Sequence, residues 1–403
     1  NSEIDPIPKT NTIQYKATNF NNEQIDVYRI INGSMDARLV GGKTALEKGS
    51  HTVTFQDEIT QRTEYTALTR QAYMYISTLI PAKPSDLRRP ANQADYIVIS
   101  HENFIENIQP LVEFRRSQGL KVKVVDIDEV YDLFSGGIFN PHAIQKFLRY
   151  TYTNWQKPAP TYVLLVGDTH YDYKRATIER YREEFGAPYD LYPNFVPTFH
   201  GWSPESGETA MDQRFVNISG DDSIPDMFIG RLAVQRAHEL STVVEKIINY
   251  EKNPKIGAWQ ARIMQVADNE IDNPGQDDIF ELSRENVIDN FIPLGYDTRK
   301  IYLRKIVSPR KTNQLIKENF DQGVLIAEYS GHGGTHQWAD ESIFRLQDAQ
   351  LMFNEYLPFI ITTTCLNGQF DKPLQYGELG LSEAFINSRH GAIATLAASR
   401  LTY

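Results

Sequence analysis

The sequence predicts an α/β protein in which two adjacent parallel-sheet sub-domains follow a β-rich domain. Three observations favour this fold class. Residues 1 to about 85 contain strand-like patterns, short apolar runs alternate with amphipathic stretches from Ala94 onward, and this alternation begins a second time near Trp259. Strands that alternate with helices are typical of parallel sheets, because each crossover helix returns the chain to the same end of the sheet.

Residues 1–90 are predicted to form a β-rich accessory domain and a linker. Segments such as TIQYKATN, IDVYRII and HTVTFQDEI are rich in β-branched and aromatic residues or alternate polar with apolar positions, and Gly41-Gly42 marks a turn. The linker at 81–90, PAKPSDLRRP, contains three prolines, which favour an extended chain.

Residues 91–252 are predicted to form a supporting α/β sub-domain. Its strands are predicted in ADYIVIS, LKVKVVDI, TYVLLVGD and DMFIGRLAV. Its helices are predicted in IQPLVEFRRSQG, PHAIQKFLRYTYTNW and AHELSTVVEKIINYEK. Pro141 lies near the start of the second helix, where its fixed φ angle and missing N–H are tolerated.

Residues 253–403 are predicted to form a second α/β sub-domain, which contains the candidate active site. Its strands are predicted in ARIMQVAD, TRKIYL, VLIAEYS, FIITTT and GAIATLAAS. Its helices are predicted in DDIFELSRENVIDNFI, RKTNQLIKENFDQG, QDAQLMFNE and GELGLSEAFINSR.

The composition excludes several classes of protein. The chain has 41 Lys and Arg against 52 Asp and Glu, a net charge of −11, which argues against nucleic acid or an anionic membrane as the main partner. It lacks a run of about 18 apolar residues, so no membrane span is predicted. It starts at Asn1 without a leader pattern, and we expect a mature form or a proteolytic product. Its single cysteine excludes intrachain disulfides and a multi-thiolate metal site.

Reactive side chains follow two of the predicted strands. VLIAEYS leads into Gly331-His332-Gly333-Gly334, and FIITTT leads into Cys365-Leu366-Asn367-Gly368. The carboxyl ends of parallel strands share one edge of a sheet, where ligands bind. The separation of 33 positions (365 − 332) leaves room for one crossover helix. If the two strands are neighbours, the imidazole and the thiol are expected to meet.

This pair has the chemistry of a nucleophilic hydrolase. A thiol attacks as its thiolate, and an imidazole can take its proton and later protonate the leaving group. Flanking glycines let a substrate backbone approach, and the N–H groups of Gly333 and Cys365 are candidates for binding a developing oxyanion. Taken alone, the residues leave open a buried structural cysteine and a histidine in a turn.

YSGHGG together with TTTCLNGQFD resembles the catalytic segments of the gingipain family of cysteine peptidases, which share the caspase-like fold. ADYIVIS, LVEFRRSQGLKVKVVDIDEVY, IQKFLRYTY, TYVLLVGD and DMFIGRLAV resemble the first sub-domain of that family, and ADNEIDNPGQDDIFELSRENVI resembles the start of the second. The resemblance covers Ala94 to Tyr403. It implies two adjacent sub-domains of the caspase and gingipain type.

The resemblance implies an endopeptidase that is acylated on a cysteine. Cys365 matches the nucleophile and His332 the catalytic histidine. Glu270 matches an acidic residue that assists the histidine in some members, although it could instead cap a helix or lie at the surface. Glu281 lies near an acidic residue of the primary specificity pocket in arginine-specific members, whereas a helical glutamate more commonly faces solvent.

Two further sets of side chains are candidates for binding, one for the substrate and one for a metal ion. His336 and Trp338 are expected to line the substrate cleft, since the glycines between His332 and His336 disfavour a helical metal-binding pair. Family members are often stabilised by calcium, and carboxylate oxygens are suitable calcium ligands. The predicted calcium ligands are Asp168, Asp212, Asp221 and Asp222. The alternative is that these aspartates cap helices or form turns, which is the more common role of aspartate in such segments.

Two branches of the family fit the sequence. One branch contains secreted digestive or processive peptidases, and TCLNG resembles the corresponding segment of that branch. The other branch contains the sortase-like signal peptidase of type IX secretion, which the β-rich N-terminal segment and the ending AASRLTY resemble. Both imply an exported protein, secreted or at the cell surface, that acts on proteins or peptides. Other domains of a longer precursor or an outer-membrane secretion partner are the additional partners that this resemblance suggests.

Other classes of function give different expectations. A catalytically silent binding or scaffold module at the cell surface would keep the fold and use the cleft for protein recognition. A metal-dependent hydrolase would lose activity to chelators yet survive Cys365→Ala. The predicted acyl transfer itself requires no cofactor.

Overall fold

The computed structural model describes residues 11–31, 34–75, 81–174, 193–220, 222–270, 278–372 and 378–402. The chain divides into two compact units, the N-terminal unit Asn1–Pro81 and the C-terminal unit Ala82–Tyr403. The first contains antiparallel sheets and the second is built around two parallel sheets, which confirms the predicted α/β class with a β-rich N-terminal part. The predicted domain boundaries at residues 90 and 252 stay predictions.

The described residues of the N-terminal unit form six strands: β1 (Asn11–Phe20), β2 (Ile25–Ile31), β3 (Ser34–Leu39), β4 (Lys43–Glu47), β5 (Ser50–Ile59) and β6 (Glu64–Thr69). They form two antiparallel sheets with the spatial orders β1-β5-β4 and β3-β2-β6. Val27, Val53 and Phe55 form its small buried core, and the rings of Tyr15 and Tyr65 pack on Phe55 at 5.3 and 5.2 Å. Aromatic and β-branched side chains suit such pleated, half-buried surfaces.

The first parallel sheet of the C-terminal unit contains β7 (Tyr96–Ser100), β8 (Val122–Asp126), β9 (Tyr162–Val166) and β12 (Phe228–Leu232). Its spatial order is β12-β9-β7-β8. Among the described residues of this part of the chain, the helices are α1 (Ile105–Ser117), α2 (Ile127–Ser135), α3 (Pro141–Asn154) and α4 (Ala237–Lys252). A hairpin of β10 (His200–Ser203) and β11 (Gly207–Ala210) precedes the last strand. Two buried apolar clusters include residues of this sheet and its helices.

The second parallel sheet contains β13 (Arg262–Ala267), β14 (Asp297–Tyr302), β15 (Ile326–Ser330), β19 (Phe359–Thr363) and β20 (Ala394–Ala397). Its spatial order is β14-β13-β15-β19-β20. Its helices are α5 (Ile279–Phe291), α6 (Leu303–Ile306), α7 (Pro309–Gln322), α8 (Leu346–Gln350) and α9 (Leu381–Asn387). A small antiparallel sheet of β16 (Gly333–Gly334), β17 (Gln337–Trp338) and β18 (Phe344–Arg345) lies between β15 and β19 in the chain.

Local sequence explains where two of the longer helices begin. The Asn140 side chain accepts the His142 N–H at 3.0 Å, and Pro141 is the first residue of α3, as predicted. Ser308 and Pro309 repeat this arrangement at the start of α7. A polar cap followed by proline satisfies or removes backbone donors that a helix leaves unpaired.

Lys246 connects the two sheet regions of the C-terminal unit. Its ammonium group, on α4, donates to the carbonyl oxygens of Phe385, Ile386 and Ser388 at the end of α9. Burial lowers the pKa of Lys246 to about 7. A cation is stabilised near the carbonyl-rich C-terminal end of a helix, so Lys246 of α4 satisfies carbonyl groups that α9 itself leaves without a partner.

Several elements differ from the predicted ones. Helix α2 begins at Ile127 directly after β8, where LKVKVVDI predicts only a strand, because Asp126 accepts the Asp128 N–H and caps the helix. The helix predicted in QDAQLMFNE is shorter, since α8 ends at Gln350. The β10–β11 hairpin and the small β16–β18 sheet occupy segments for which no strand is predicted. None of the helices in the described part of the chain has the length and apolar character that a membrane span needs.

Candidate active site

The two predicted reactive residues follow neighbouring strands. Strands β15 and β19 are parallel neighbours, which was the condition for the two residues to meet, and their last paired residues are Ser330 and Thr363. His332 and Cys365 each come two positions after this pair. The backbone pairing continues past the strand ends, because the Gly331 N–H donates to the Thr363 carbonyl oxygen at 3.4 Å. The topology therefore brings both loops to one edge of the sheet.

Glycine at position 333 permits the close approach of these loops. A Cβ atom added to Gly333 would lie 2.5 Å from the Thr364 hydroxyl oxygen, next to Cys365. Real Cβ atoms do not come so close to another heavy atom. The sequence predicts a backbone role for Gly333, and the structure adds that a side chain at this position would collide with Thr364.

Cys365 is partly exposed rather than buried in a core. The Thr402 N–H donates to its sulfur at 3.4 Å, and the sulfur lies 3.7 Å from the Thr402 carbonyl oxygen. Leu366, the next residue, has a φ of 63°, a conformation that costs a side-chain-bearing residue about 1–2 kcal/mol. Such backbone strain is concentrated at functional turns.

The His332 backbone is held on both sides while the residue itself is exposed. Its N–H donates to the Asp268 carboxylate at 3.0 Å. Its carbonyl oxygen accepts from the Tyr329 hydroxyl and from the Ala339 N–H, the latter at 2.8 Å. The imidazole meets the ring of Phe280 edge-on, with 5.3 Å between centroids.

Asp268 is a site residue that the sequence analysis did not identify. It follows β13, the strand on the other side of β15, and it is 1% exposed. Burial raises the pKa of Asp268 to about 6, although hydrogen bonds from the N–H groups of Asn269 and His332 act in the opposite direction. The rule that selected Cys365 and His332, a polar residue at a strand end, also applies to Asp268.

Glu270, the predicted acidic assistant, lies two positions after Asp268 and is partly exposed. Its N–H donates to Asp278, which caps α5, at 3.1 Å. In the described part of the chain, the carboxylate that bonds to His332 is that of Asp268, and it binds the backbone N–H. The role of Glu270 stays a prediction.

The predicted substrate-binding residues have different surroundings. Glu281 is 5% exposed, and its carboxylate pairs with Lys305 at 2.9 Å and Arg304 at 3.7 Å. Trp338 is fully buried and stacks on Tyr329 with 4.7 Å between ring centroids, so its side chain forms core and does not line a cleft as predicted. His336 is exposed on the loop between β16 and β17.

The described members of the predicted calcium set have separate protein partners. Asp212 makes two hydrogen bonds with the Arg231 guanidinium, at 2.7 and 2.9 Å. Asp168 is buried and accepts from Gln235 at 2.9 Å, whereas Asp222 is exposed and accepts the N–H of Ile224. Asp221 lies outside the described residues. The described residues include no group of three His, Cys, Asp or Glu able to hold a metal ion, so they do not support the calcium site, which stays a prediction.

A buried ion pair ties the Cys365 loop to its surroundings. Asp371 is 0% exposed and accepts two hydrogen bonds from Arg400, each of 2.7 Å, and one from His200 of 3.0 Å. Burial acts to raise the pKa of Asp371, but the bonds from His200 and Arg400 bring it below its ordinary value. The Arg400 carbonyl oxygen in turn accepts the Leu366 N–H at 3.2 Å. The segment after β20 is thereby fixed against the loop that contains the thiol.

Comparison with known proteins adds a family to this geometry. The model of peptidase family C25 matches residues 89–403. Gingipain R2 of Porphyromonas gingivalis is 26% identical over 275 residues, which are 68% of this chain and 32% of that protein. Lys-gingipain of the same species is 21% identical over 283 residues, 69% of this chain and 14% of that protein. The chain thus spans about a third or less of the length of these relatives.

Solved structures show the same fold. The arginine-specific cysteine proteinase gingipain R superposes with a TM-score of 0.57 at 24% identity, covering 76% of this chain and 63% of that one. The complex of the pro- and mature domains of gingipain RgpB from Porphyromonas gingivalis superposes with a TM-score of 0.55 at 25% identity, covering 76% and 64%. The architecture is therefore of the caspase and gingipain type, as the sequence resemblance implies.

Proposed function

Because the chain belongs to peptidase family C25, the gingipain family, we propose that it is a cysteine endopeptidase that cleaves proteins through Cys365 and His332. The observation that carries this proposal is the position of the two residues after neighbouring parallel strands in the same register. The partial exposure of Cys365 supports it, since a nucleophile must be reached by its substrate.

The proposed reaction is acyl transfer in two stages. His332 takes the thiol proton of Cys365, and the thiolate sulfur attacks the scissile carbonyl carbon. The C–N bond breaks as the protonated imidazole gives its proton to the leaving amine, which leaves a thioester on Cys365. Water then attacks the thioester, with His332 as the base, and releases the acid and the thiol. We propose that Glu270 orients or charges the imidazole.

We propose that the N–H groups of Gly333 and Cys365 hold the oxyanion. The Ala339 N–H donates to the His332 carbonyl oxygen, and Gly333 pairs with Trp338 in the small antiparallel sheet. This pattern makes Gly333 and Trp338 a non-hydrogen-bonded pair. The Gly333 N–H therefore points away from that hairpin, in the direction in which an oxyanion could accept it.

The wider biological role is proposed from family membership. We propose export, with the protein secreted or at the cell surface, and either digestion of proteins or a sortase-like processing step in type IX secretion. Glu281 and His336 are the residues proposed to contact the substrate side chain. Because Glu281 is already paired with Lys305, a basic substrate residue would have to share or displace that ammonium group.

Thiol labelling tests the Cys365–His332 pair directly. We expect iodoacetamide to label Cys365 about 10-fold or more faster than a free peptide thiol at pH 7, because in the proposed mechanism His332 takes the thiol proton. His332→Ala should return the rate to that of the free thiol. His238→Ala, at an exposed histidine on α4, is the control and should not change it. A parent rate equal to that of a free thiol would favour a silent scaffold.

A peptide-library digest tests the reaction and the substrate. The parent is expected to cleave internal peptide bonds, and Cys365→Ala should abolish cleavage. Cleavage at one kind of residue throughout the library indicates a digestive peptidase, whereas cleavage confined to C-terminal secretion signals indicates the processing branch. Activity that survives Cys365→Ala and is lost to a chelator would instead indicate a metal-dependent hydrolase.

A further inference from the structure

The exposed histidine of the proposed catalytic pair has a backbone that is hydrogen-bonded at both its N–H and its carbonyl oxygen. Asp268 binds the N–H of His332 at 3.0 Å, and the Tyr329 hydroxyl binds its carbonyl oxygen. In contrast, the ring contact described for the imidazole is the edge-on one with Phe280. The position of the imidazole therefore depends strongly on where the backbone is held.

Asp268 and Tyr329 form one buried pair. Asp268 is 1% exposed and Tyr329 is fully buried, with its ring stacked on Trp338 at an interplanar angle of 8°. The Tyr329 oxygen accepts the Ala339 N–H at 2.8 Å and lies 3.4 Å from the Asp268 carboxylate. A hydroxyl has a single hydrogen, and its shortest acceptor contact is the His332 carbonyl oxygen.

The space around this pair is closed. A Cβ atom on Gly331 would lie 2.2 Å from the Asp268 Cβ and 2.5 Å from the Tyr329 oxygen. A side chain at position 331 would therefore collide with both Asp268 and Tyr329. Glycine at this position lets the backbone that enters His332 pass close to the carboxylate and the phenol.

We propose that Asp268 and Tyr329 are positioning residues, which hold the His332 backbone so that its imidazole is aimed at the Cys365 thiol. This inference rests on the proposed function and adds two residues to it. Neither side chain touches the reacting atoms. Both act through the backbone of the histidine, and a displacement of about 1 Å at a catalytic group can lower a rate by about 100-fold.

The charge of Asp268 provides a signature that a merely structural residue lacks. The ionised carboxylate accepts the N–H groups of both Asn269 and His332, one on each oxygen. Burial and the nearby Glu341 raise the pKa of this carboxyl, the N–H groups of Asn269 and His332 and the His332 imidazole lower it, and the net pKa is about 6. Protonation converts one oxygen into a donor, so the grip on His332 weakens as the pH falls below about 6.

The test uses two near-isosteric variants and a matched control. Asp268→Asn is expected to lower kcat about 10- to 100-fold with little change in KM, and Tyr329→Phe about 3- to 10-fold, as for one lost neutral hydrogen bond. Asp126→Asn is the control, since Asp126 is also a buried carboxylate at a parallel-strand end that accepts a backbone N–H. It should stay within about 2-fold of the parent.

The pH profile and an NMR readout complete the test. The ratio of parent to Asp268→Asn activity should shrink as the pH falls from 7.5 to 5. Over this range the Asp268 carboxylate of the parent becomes protonated, so that the parent, like the variant, has an uncharged side chain at this position. The ¹³Cε1 signal of His332, assigned with His332→Ala, should shift in Asp268→Asn and not in Asp126→Asn.

Three results would overturn the inference: a folded Asp268→Asn with kcat within 2-fold of the parent, equal losses in the control, or an unmoved His332 signal. The proposed function fails separately, if the parent neither cleaves peptides nor shows His332-dependent labelling. In that case the NMR signal still reports whether Asp268 holds the histidine.

Discussion

Replacing Arg400 with methionine should destabilise the C-terminal unit more than any loss of a surface charge. The Arg400 guanidinium makes two 2.7 Å hydrogen bonds with Asp371, whose side chain is fully buried. Methionine keeps most of the length and apolar character of the arginine stem but removes its charge and its donors. The variant therefore leaves the Asp371 carboxylate in the interior without its main counter-charge.

The size of the effect follows from this burial. Removing one partner of a buried ion pair costs about 3–5 kcal/mol, because the remaining charge stays in a low-dielectric interior. His200, whose ring nitrogen lies 3.0 Å from the Asp371 carboxylate, offsets part of this cost through its hydrogen bond. Adding Asp371→Asn to Arg400→Met removes the stranded charge, and the double variant should recover at least about 1 kcal/mol.

Urea unfolding followed by tryptophan fluorescence measures this loss. All four tryptophans lie in the C-terminal unit, so the signal reports that unit alone. Arg389→Met is the control, because Arg389 and its partner Glu245 are 71% and 68% exposed, and it should cost at most about 0.5 kcal/mol. A loss below about 1 kcal/mol in Arg400→Met, or one no larger than in the control, would refute the reasoning.

Gly331, Asp268 and Lys246 are all buried, and a change at each has a measurable consequence. Gly331→Ala should lower kcat at least about 100-fold, since its Cβ would lie 2.2 Å from that of Asp268; steady-state kinetics with circular dichroism as a folding check would show this, and near-normal kcat would contradict it. The pKa of Asp268 is about 6 in the folded protein, against an ordinary value of 3.8. Between these two pH values the folded state therefore binds more protons than the unfolded state. The stability of the parent relative to Asp268→Asn should therefore rise by up to about 3 kcal/mol between pH 7 and pH 4, and urea midpoints that diverge in the opposite sense would contradict it. Burial lowers the pKa of Lys246 to about 7, so the unfolded state binds more protons above that pH. The stability of the parent relative to Lys246→Met should rise from pH 7 to pH 9, which the same urea assay measures, and a fall would contradict it.

Much of the fold could be predicted because its signals are local. A buried parallel strand is a short apolar run, and a crossover helix has a polar cap and an apolar stripe, so both are read from adjacent residues. Helix α2 was missed because LKVKVVDI reads as one strand up to Ile127, whereas the strand ends at Asp126 and the helix begins at Ile127. The β16–β18 sheet was missed because its two-residue strands have no periodicity to detect.

The candidate site was partly predictable for a related reason. The rule that polar residues follow the carboxyl ends of parallel strands selects His332 and Cys365, and the strand order supports their pairing. Asp268 satisfies the same rule, but its bond to His332 joins residues 64 positions apart. The sequence predicts that Trp338 lines the cleft, whereas the chain turns back after the glycine loop and buries the indole against Tyr329.

The amino-acid sequence by itself determined the fold class, the family and the two residues proposed for the chemistry, since each depends on short segments read along the chain. Only the tertiary structure showed that Asp268 and Tyr329 hold the His332 backbone and that Asp371 binds Arg400 and His200. These contacts join segments far apart in the chain, and their strength comes from the exclusion of water, which arises only when the sheets and loops are packed together.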